Sequence, residues 1–298
     1  MNNGSQEEPP PPARGFVVID KPTGISSRAA VNRVVKLLPK TKVGHAGTLD
    51  PLASGVLVLG VGKSTRLLEL VQDLPKSYRA VIRLGATSDT LDADGCIIDR
   101  PGTAIPTDAQ VARVLEAFHG EVMQTPPAYS ALKVNGRRAY DLARSGQAPT
   151  LAGRLVTFYR CELIRYQWPV LELEIDCGRG TYIRSVAGDI GESLGCGGYI
   201  EVLTRTWIGP FRREDALGLD QLSRQVLLER LRPELDAVPN LPRLMLTDDE
   251  VAEIMAGRAV NPPAVLAGRV ALLHHSGRLI ALAEADARGV VHPRKVLG

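Results

Sequence analysis

Apolar positions along this chain recur in blocks whose spacing alternates between two residues and three to four, which predicts mixed strands and helices. Phe16-Val17-Val18-Ile19 is a short apolar run that stops at the turn Lys21-Pro22-Thr23-Gly24, as a strand entering a loop does. Behind Ser26 and Ser27, the residues Ala30, Val31, Val34, Val35 and Leu38 fall on one face of a helix. Residues 55–60 predict a buried strand, 65–74 a helix, and the alternation over 78–84 a half-buried strand. Thr107 and Gln110 have the spacing of a capping box, which opens a helix to about residue 119. Strands over 156–166 and 171–177 follow, then a helix over about 182–194.

Residues 231–244 carry Pro233, Pro239 and Pro242 and are read as a linker. Beyond it, Thr247 and Glu250 form another capping box for a helix ending near Gly257. Runs at 270–275 and 279–285 flank Ser276-Gly277, a hairpin signal. The pattern therefore predicts a small C-terminal module of mostly β structure. A chain ending near Asp236 is expected to fold without it. At the other end, residues 1–14 are polar and proline-rich and are read as a disordered tail.

The chain has 298 residues, 44% hydrophobic and 23% charged, enough for one large core or two domains. That balance excludes a wholly disordered chain, a collagen-like repeat and a disulfide-stapled miniprotein. No apolar run approaches the roughly 18–20 residues that span a bilayer, and the first residues lack a signal-peptide stretch. The four cysteines, with no C-x-x-C pair, read as reduced thiols in a cytoplasmic protein rather than as zinc ligands. Thirty-six basic and 33 acidic residues leave a net charge of +3, which permits a nucleic-acid partner without arguing for one.

Several motifs fail on inspection. Gly62-Lys63-Ser64 resembles the end of a P-loop, but the required upstream glycine is replaced by Leu57. Gly60 and Gly62 lack the third glycine of a dinucleotide fingerprint, since Thr65 stands there. Asp92-Ala93-Asp94-Gly95 mimics the centre of a calcium loop, yet Thr90 and Pro101 occupy key ligand positions, so it reads as a turn. The informative stretch is Gly44-His45-Ala46-Gly47-Thr48-Leu49-Asp50-Pro51-Leu52-Ala53-Ser54-Gly55. Its glycines allow positive φ and close backbone approach ahead of a buried strand. On chemistry alone, Asp50 before Pro51 reads first as a turn residue and His45 as a packed loop histidine, ahead of a nucleophile and a substrate contact.

That stretch resembles the signature of the bacterial TruB family, the tRNA pseudouridine-55 synthases. Further similar segments run in order: Asp20-Lys21-Pro22-x-Gly24, Lys76-Ser77-Tyr78-Arg79, Asp92-Ala93-Asp94-Gly95, and residues 124–133 beginning Gln124-Thr125-Pro126-Pro127. Cys177-Gly178-Arg179-Gly180-Thr181-Tyr182-Ile183-Arg184 and Leu203-Thr204-Arg205 complete the set. The likeness is strong over about residues 15–210 and weak in the C-terminal module.

The resemblance implies an α+β fold: a pseudouridine-synthase-like mixed-sheet catalytic domain over 15–238 and a small, mostly-β, PUA-like RNA-binding domain over 239–298. It implies an isomerase that converts uridine to pseudouridine at position 55 in the TΨC arm of tRNA, on a flipped-out base. No metal, nucleotide or other cofactor is implied, and no membrane; the expected form is a monomer in the cytoplasm. The family role of nucleophile falls on Asp50, with attack on base or sugar carbon left open. Arg184 resembles the arginine partner of that aspartate. Tyr78 resembles the tyrosine that stacks on the target base and can assist loss of the C5 proton. His45, Tyr182 and Leu203 resemble substrate-contacting positions. An insertion over about 125–146, with Lys133, Arg137, Arg138 and Arg144, resembles the family's RNA-gripping segment. Two rivals stand beside this reading: a non-catalytic RNA-binding protein of the same fold, and a sugar hydrolase, which would need a second carboxylate not identifiable among Asp89, Asp92 and Asp94.

Overall fold

The computed structural model describes residues 13–130, 132–134, 136–145, 149, 151–262 and 267–297. Its first half runs β1 (Gly15–Lys21), α1 (Ser27–Leu37), β2 (Val43–His45), β3 (Ser54–Val61), α2 (Leu68–Asp73), β4 (Lys76–Leu84), β5 (Ala86–Ser88), β6 (Ile97–Asp99), α3 (Asp108–Leu115) and β7 (Gly120–Gln124). Ser26 caps α1 by accepting from the Ala29 amide, and Thr107 closes a capping box with Gln110 at α3. The helix expected over 65–74 is in fact a 3-10 turn, Gly62–Leu67, followed by α2. Val35 points outward, while Ala30, Val31, Val34 and Leu38 enter the core.

The insertion contributes two short strands, β8 (Lys133–Val134) and β9 (Arg137–Arg138), and α4 (Ala139–Arg144). Then come β10 (Arg154–Gln167), β11 (Val170–Cys177), α5 (Ile183–Ser193), β12 (Gly198–Ile208) and β13 (Phe211–Arg212). The main sheet has the order β1-β3-β12-β4-β11-β10-β7, with β2 added at β3 and β13 at β12. Only the β3–β12 pair is parallel, so the sheet is mixed. β12 sits near its centre, and the apolar pattern had not singled it out. One face is covered by α1, α3 and α5 over a core that includes Val31, Leu57, Ile82, Leu173 and Val186.

The last third holds α6 (Arg224–Glu229), β14 (Arg243–Leu246), α7 (Asp248–Met255), β15 (Gly268–His274), β16 (Leu279–Ala285) and β17 (Val291–Val296). β14 to β17 form a four-stranded sheet in that order. Residues 231–244 differ from the linker expected of them. The Phe16 amide donates to Arg232 O at 2.9 Å, and the Arg232 amide returns a bond to Phe16 O at 2.7 Å. Ala237 and Val238 are buried, and the buried carboxylate of Glu234 takes Arg14 and the Ser64 hydroxyl. Prolines end regular elements but do not stop a segment from packing. One apolar cluster joins Phe16, Val18, Val58 and Phe211 of the main sheet to Ala271, Leu273, Leu279 and Leu282 of the C-terminal one.

Candidate active site

Asp50 lies on the loop between β2 and β3; Gly47 in that loop takes φ +90°, and Gly55 at the start of β3 takes φ +97°. These left-handed conformations turn the chain out of one strand and back into the next. Ser27 secures the loop by bonding Leu49 in both directions: its hydroxyl donates to Leu49 O and accepts from Leu49 N, each at 2.8 Å. Lys21 secures it from below, its buried ammonium donating to Pro22 O, Ile25 O and Pro51 O. Burial brings the Lys21 pKa down to about 8, against the opposing pull of Asp50.

Arg184, in the first turn of α5, meets the loop. Its Nε stands 3.0 Å from Asp50 Oδ2 and 3.5 Å from Asp92 Oδ2, and its side chain is 6% exposed. Its two other nitrogens are used as well: Nη1 donates to Thr90 O at 2.9 Å and Nη2 to Tyr129 O at 2.8 Å. A guanidinium so held is a fixed cation with a defined orientation. Asp50 keeps 42% of its side chain exposed, whereas Asp92 is buried. Burial raises the Asp92 pKa, opposed by a hydrogen bond from Thr90 and by Arg184.

Asp50 opens on a cavity of about 510 Å³. Tyr78 of β4 and its cross-strand neighbour Arg205 of β12 form part of the wall, with Leu203 beside them. Arg205 is almost fully buried; its Nε donates to Val56 O at 2.8 Å, and its other nitrogens reach toward Tyr78 Oη at 3.5 Å and Gly47 O at 3.4 Å. Burial raises the Tyr78 pKa, so its hydroxyl stays neutral at ordinary pH. Opposite stands the loop 178–183, where Tyr182 packs under the Arg154 guanidinium at 5.0 Å. Gln124 holds that loop, accepting from Tyr182 N at 2.8 Å and donating to Tyr182 O at 3.1 Å.

The cavity wall carries five cationic side chains, Lys76, Arg154, Arg179, Arg184 and Arg205, against one carboxylate, Asp50. Among the described residues it contains no histidine or cysteine, so these donors suit an anionic ligand and not a transition metal. Burial brings Lys76 down to about 8, and its ammonium donates to Gln72 O and Leu74 O, each at 2.7 Å.

Of the residues singled out in the sequence, Asp50, Tyr78, Arg184, Tyr182 and Leu203 line this one cavity. His45 does not; it sits in β2 opposite Leu59, half-buried, with an Nδ1 that has no partner among the described residues. Burial lowers its pKa. The side chains of Lys133, Arg137, Arg138 and Arg144 lie outside the described residues, though their segment is tied to the site through Tyr129 O and through Leu132 in the wall. Sequence reasoning gave no site role to Lys21, Lys76, Asp92, Arg154 or Arg205, although all but Arg154 lie in the segments quoted for the resemblance. Asp92 was read as a turn residue; it is indeed in a loop, but its buried carboxylate faces Arg184.

Comparison with known proteins sets the class first. A solved structure described as a Cbf5-Nop10-Gar1 complex matches with a TM-score of 0.73 at 26% identity, covering 95% of this chain and 85% of that one. Residues 35–183 match the TruB family pseudouridylate synthase N-terminal domain. Residues 184–246 match the tRNA pseudouridylate synthase B C-terminal domain, and 242–297 the C-terminal domain of pseudouridine synthase II TruB. The fold and the matched domains are thus those of the pseudouridylate synthases as a class. Within that class, the chain belongs to the TruB family. It is 41% identical over 292 residues to tRNA pseudouridine synthase B of Cereibacter sphaeroides, covering 95% of each chain. It is 42% identical over 277 residues to the protein of that name from Mycobacterium sp. strain KMS, covering 91% of this chain and 92% of that one. Among the described residues, no helix is long and apolar enough to cross a membrane.

Proposed function

We propose that this chain isomerises uridine to pseudouridine at position 55 in the TΨC arm of tRNA, as a monomer in the cytoplasm and without a cofactor. The observation that carries the reading is the Arg184–Asp50 pair at 3.0 Å, which holds a partly exposed carboxylate at the mouth of a cationic cavity. In the reaction the bond from ribose C1′ to uracil N1 breaks, and the base turns. A bond from C1′ to C5 forms, C5 loses its proton and N1 gains one. Nothing is oxidised and no atom is lost overall. Asp50 is the group that attacks and later leaves, on base or sugar carbon. Arg184 keeps it ionised and oriented.

The target base must leave its stack to reach Asp50. Tyr78 offers it a face, worth roughly 1–3 kcal/mol per stacked base, and a neutral hydroxyl near C5. Tyr182 and Leu203 shape the pocket around the base, and Arg154 and Arg179 meet its phosphates. His45 contacts nucleotides displaced with the target, while the insertion over 125–146 grips the arm with Lys133, Arg137, Arg138 and Arg144. We take residues 15–238 as the catalytic unit and 239–298 as a PUA-type RNA-binding unit. A hydrolase is disfavoured because Asp92, the nearest second carboxylate, is buried behind Arg184 and does not line the cavity.

The test is release of the uridine C5 hydrogen from an unmodified tRNA transcript, with no metal or nucleotide added. The reading expects one equivalent per tRNA, and none from a transcript with cytidine at position 55. Undiminished release from the cytidine transcript would place the modified site elsewhere.

A further inference from the structure

A second cavity, of about 570 Å³, lies where the main sheet meets the C-terminal one. Ten of the described residues line it; six are cationic (Arg14, Lys40, Lys42, Lys63, Arg66 and Arg278) and none of the ten is acidic. Two of the six have structural work. Arg14 is bound to Glu234 and reaches Leu279 O, while Arg66 donates to Val296 O at 2.5 Å. Both stitch the C-terminal sheet to the main one. Lys40, Lys42 and Arg278 are different: they are exposed, and their side chains make no hydrogen bond or ion pair among the described residues. Like charges gathered without counter-charge repel one another, which a bound anion relieves.

The position puts an RNA phosphate within reach. Lys42 leads directly into β2, five residues before Gly47 on the wall of the Asp50 cavity and eight before Asp50 itself. A chain of eight residues spans at most about 28 Å. A nucleic-acid strand rises about 3.4 Å per nucleotide, so the second cavity lies within about eight nucleotides of the first along a helical arm. Arg278, from the turn between β15 and β16, closes the same cavity from the other sheet.

We propose that this cavity is a second phosphate-binding site, in which Lys40, Lys42 and Arg278 hold backbone phosphates of the same RNA whose uridine enters the Asp50 cleft. The proposal rests on the tRNA reading above. It gives the C-terminal sheet a defined part in RNA binding, since Arg278 completes a phosphate seat whose other half belongs to the catalytic sheet.

The test compares the full-length wild-type chain with the triple variant Lys40→Gln, Lys42→Gln, Arg278→Gln. A control removes three exposed cations elsewhere: Arg113→Gln, Arg224→Gln, Arg288→Gln. Glutamine keeps the first two methylenes of each stem, and none of the three targets is needed for the internal bonding. For tRNA, the triple variant is expected to bind about tenfold more weakly or worse at low salt. Its log–log salt dependence should be shallower by about two to three, the loss of three phosphate contacts. Turnover at saturating tRNA should stay within about twofold, because no group at the reacting base has changed. Unchanged affinity and slope, or a loss no larger than the control's, would overturn the proposal. A parallel titration with inorganic phosphate separates the sources. Protection of these residues by phosphate together with intact tRNA binding in the triple variant would make this a small-anion site and also overturn it. Failure of the tRNA reading looks different: wild type would form no pseudouridine, whatever the triple variant binds.

Discussion

Arg184 has two jobs that one substitution can separate. Its Nε faces Asp50, while Nη1 and Nη2 satisfy the carbonyls of Thr90 and Tyr129. Lysine keeps the charge but cannot fill all of these positions. Arg184→Lys is therefore expected to cut turnover by one to two orders of magnitude, about 1.4–2.8 kcal/mol. It should also lower stability, since each buried carbonyl left unpaired costs about 1–3 kcal/mol. Single-turnover rates and a thermal melt on one preparation read both; a normal rate would remove Arg184 from the site. Lys76 gives a pH signature. Held at about 8 by burial, it is charged below that pH and neutral above. RNA affinity should therefore fall from about pH 7 to about pH 9, with the salt slope shallower by about one contact. Lys76→Arg should flatten that trend, which separates it from Lys21, titrating in the same range beneath the loop. A pH-independent slope in the wild type would mean that Lys76 does not meet phosphate. At this scale the sequence motifs exposed Asp50, Tyr78 and Arg184 as a set. They marked Asp92 without giving it a role, because Asp-x-Asp-Gly has the composition of a turn and the pairing with Arg184 comes only from folding.

The elements explain how the loop and the sheet are locked together. A side chain at Gly55 would place its Cβ 2.2 Å from Arg205 O in β12, and φ there is +97°. Only glycine admits the close parallel approach of β3 and β12 that sets Arg205 against Val56 O and near Gly47 O. Gly55→Ala is expected to cost about 2–3 kcal/mol or more, read as a fall in melting temperature, with turnover lost in step as Arg205 moves. An unchanged melt would show that the strands can separate freely. Periodicity made β1, α1, β3, β4, β11 and α5 legible, because each buries a continuous face. It missed β12, whose start, Gly197-Gly198, reads as a loop and whose charged Arg205 interrupts an apolar pattern. That arginine is buried only because backbone oxygens from another segment receive it. The 3-10 turn at Gly62–Leu67 escaped for a related reason, since its spacing imitates a helix that tertiary packing does not allow.

A net charge of +3 hides how the charge is arranged over the molecule. Five cations line the Asp50 cavity and six the second one, against a single lining carboxylate, Asp50, among the described residues. Composition carries no record of such segregation. The same holds for the C-terminal sheet, of which β15 and β16 were legible but β14, β17 and the docking were not. A chain cut after Asp236 would lose Ala237, Val238, Ala271, Leu273, Leu279, Leu282 and Leu297, and would bare Phe16, Val18 and Phe211. Contrary to the sequence expectation, such a chain should be aggregation-prone. Its melting temperature should drop by roughly 10–20 °C, for a loss of at least about 5 kcal/mol of apolar burial. A soluble fragment melting like the full chain would show that this shared cluster adds little.

Everything proposed for the molecule turns on the carboxylate of Asp50, held by Arg184, as the nucleophile that converts uridine in bound tRNA. Single-turnover formation of pseudouridine by wild type and Asp50→Asn, with tRNA affinity measured on the same samples, isolates that step. Asparagine keeps the size and removes the charge. The variant should bind tRNA within about tenfold of wild type and form no pseudouridine. Appreciable conversion by Asp50→Asn, at any enzyme excess, would exclude Asp50 as the nucleophile.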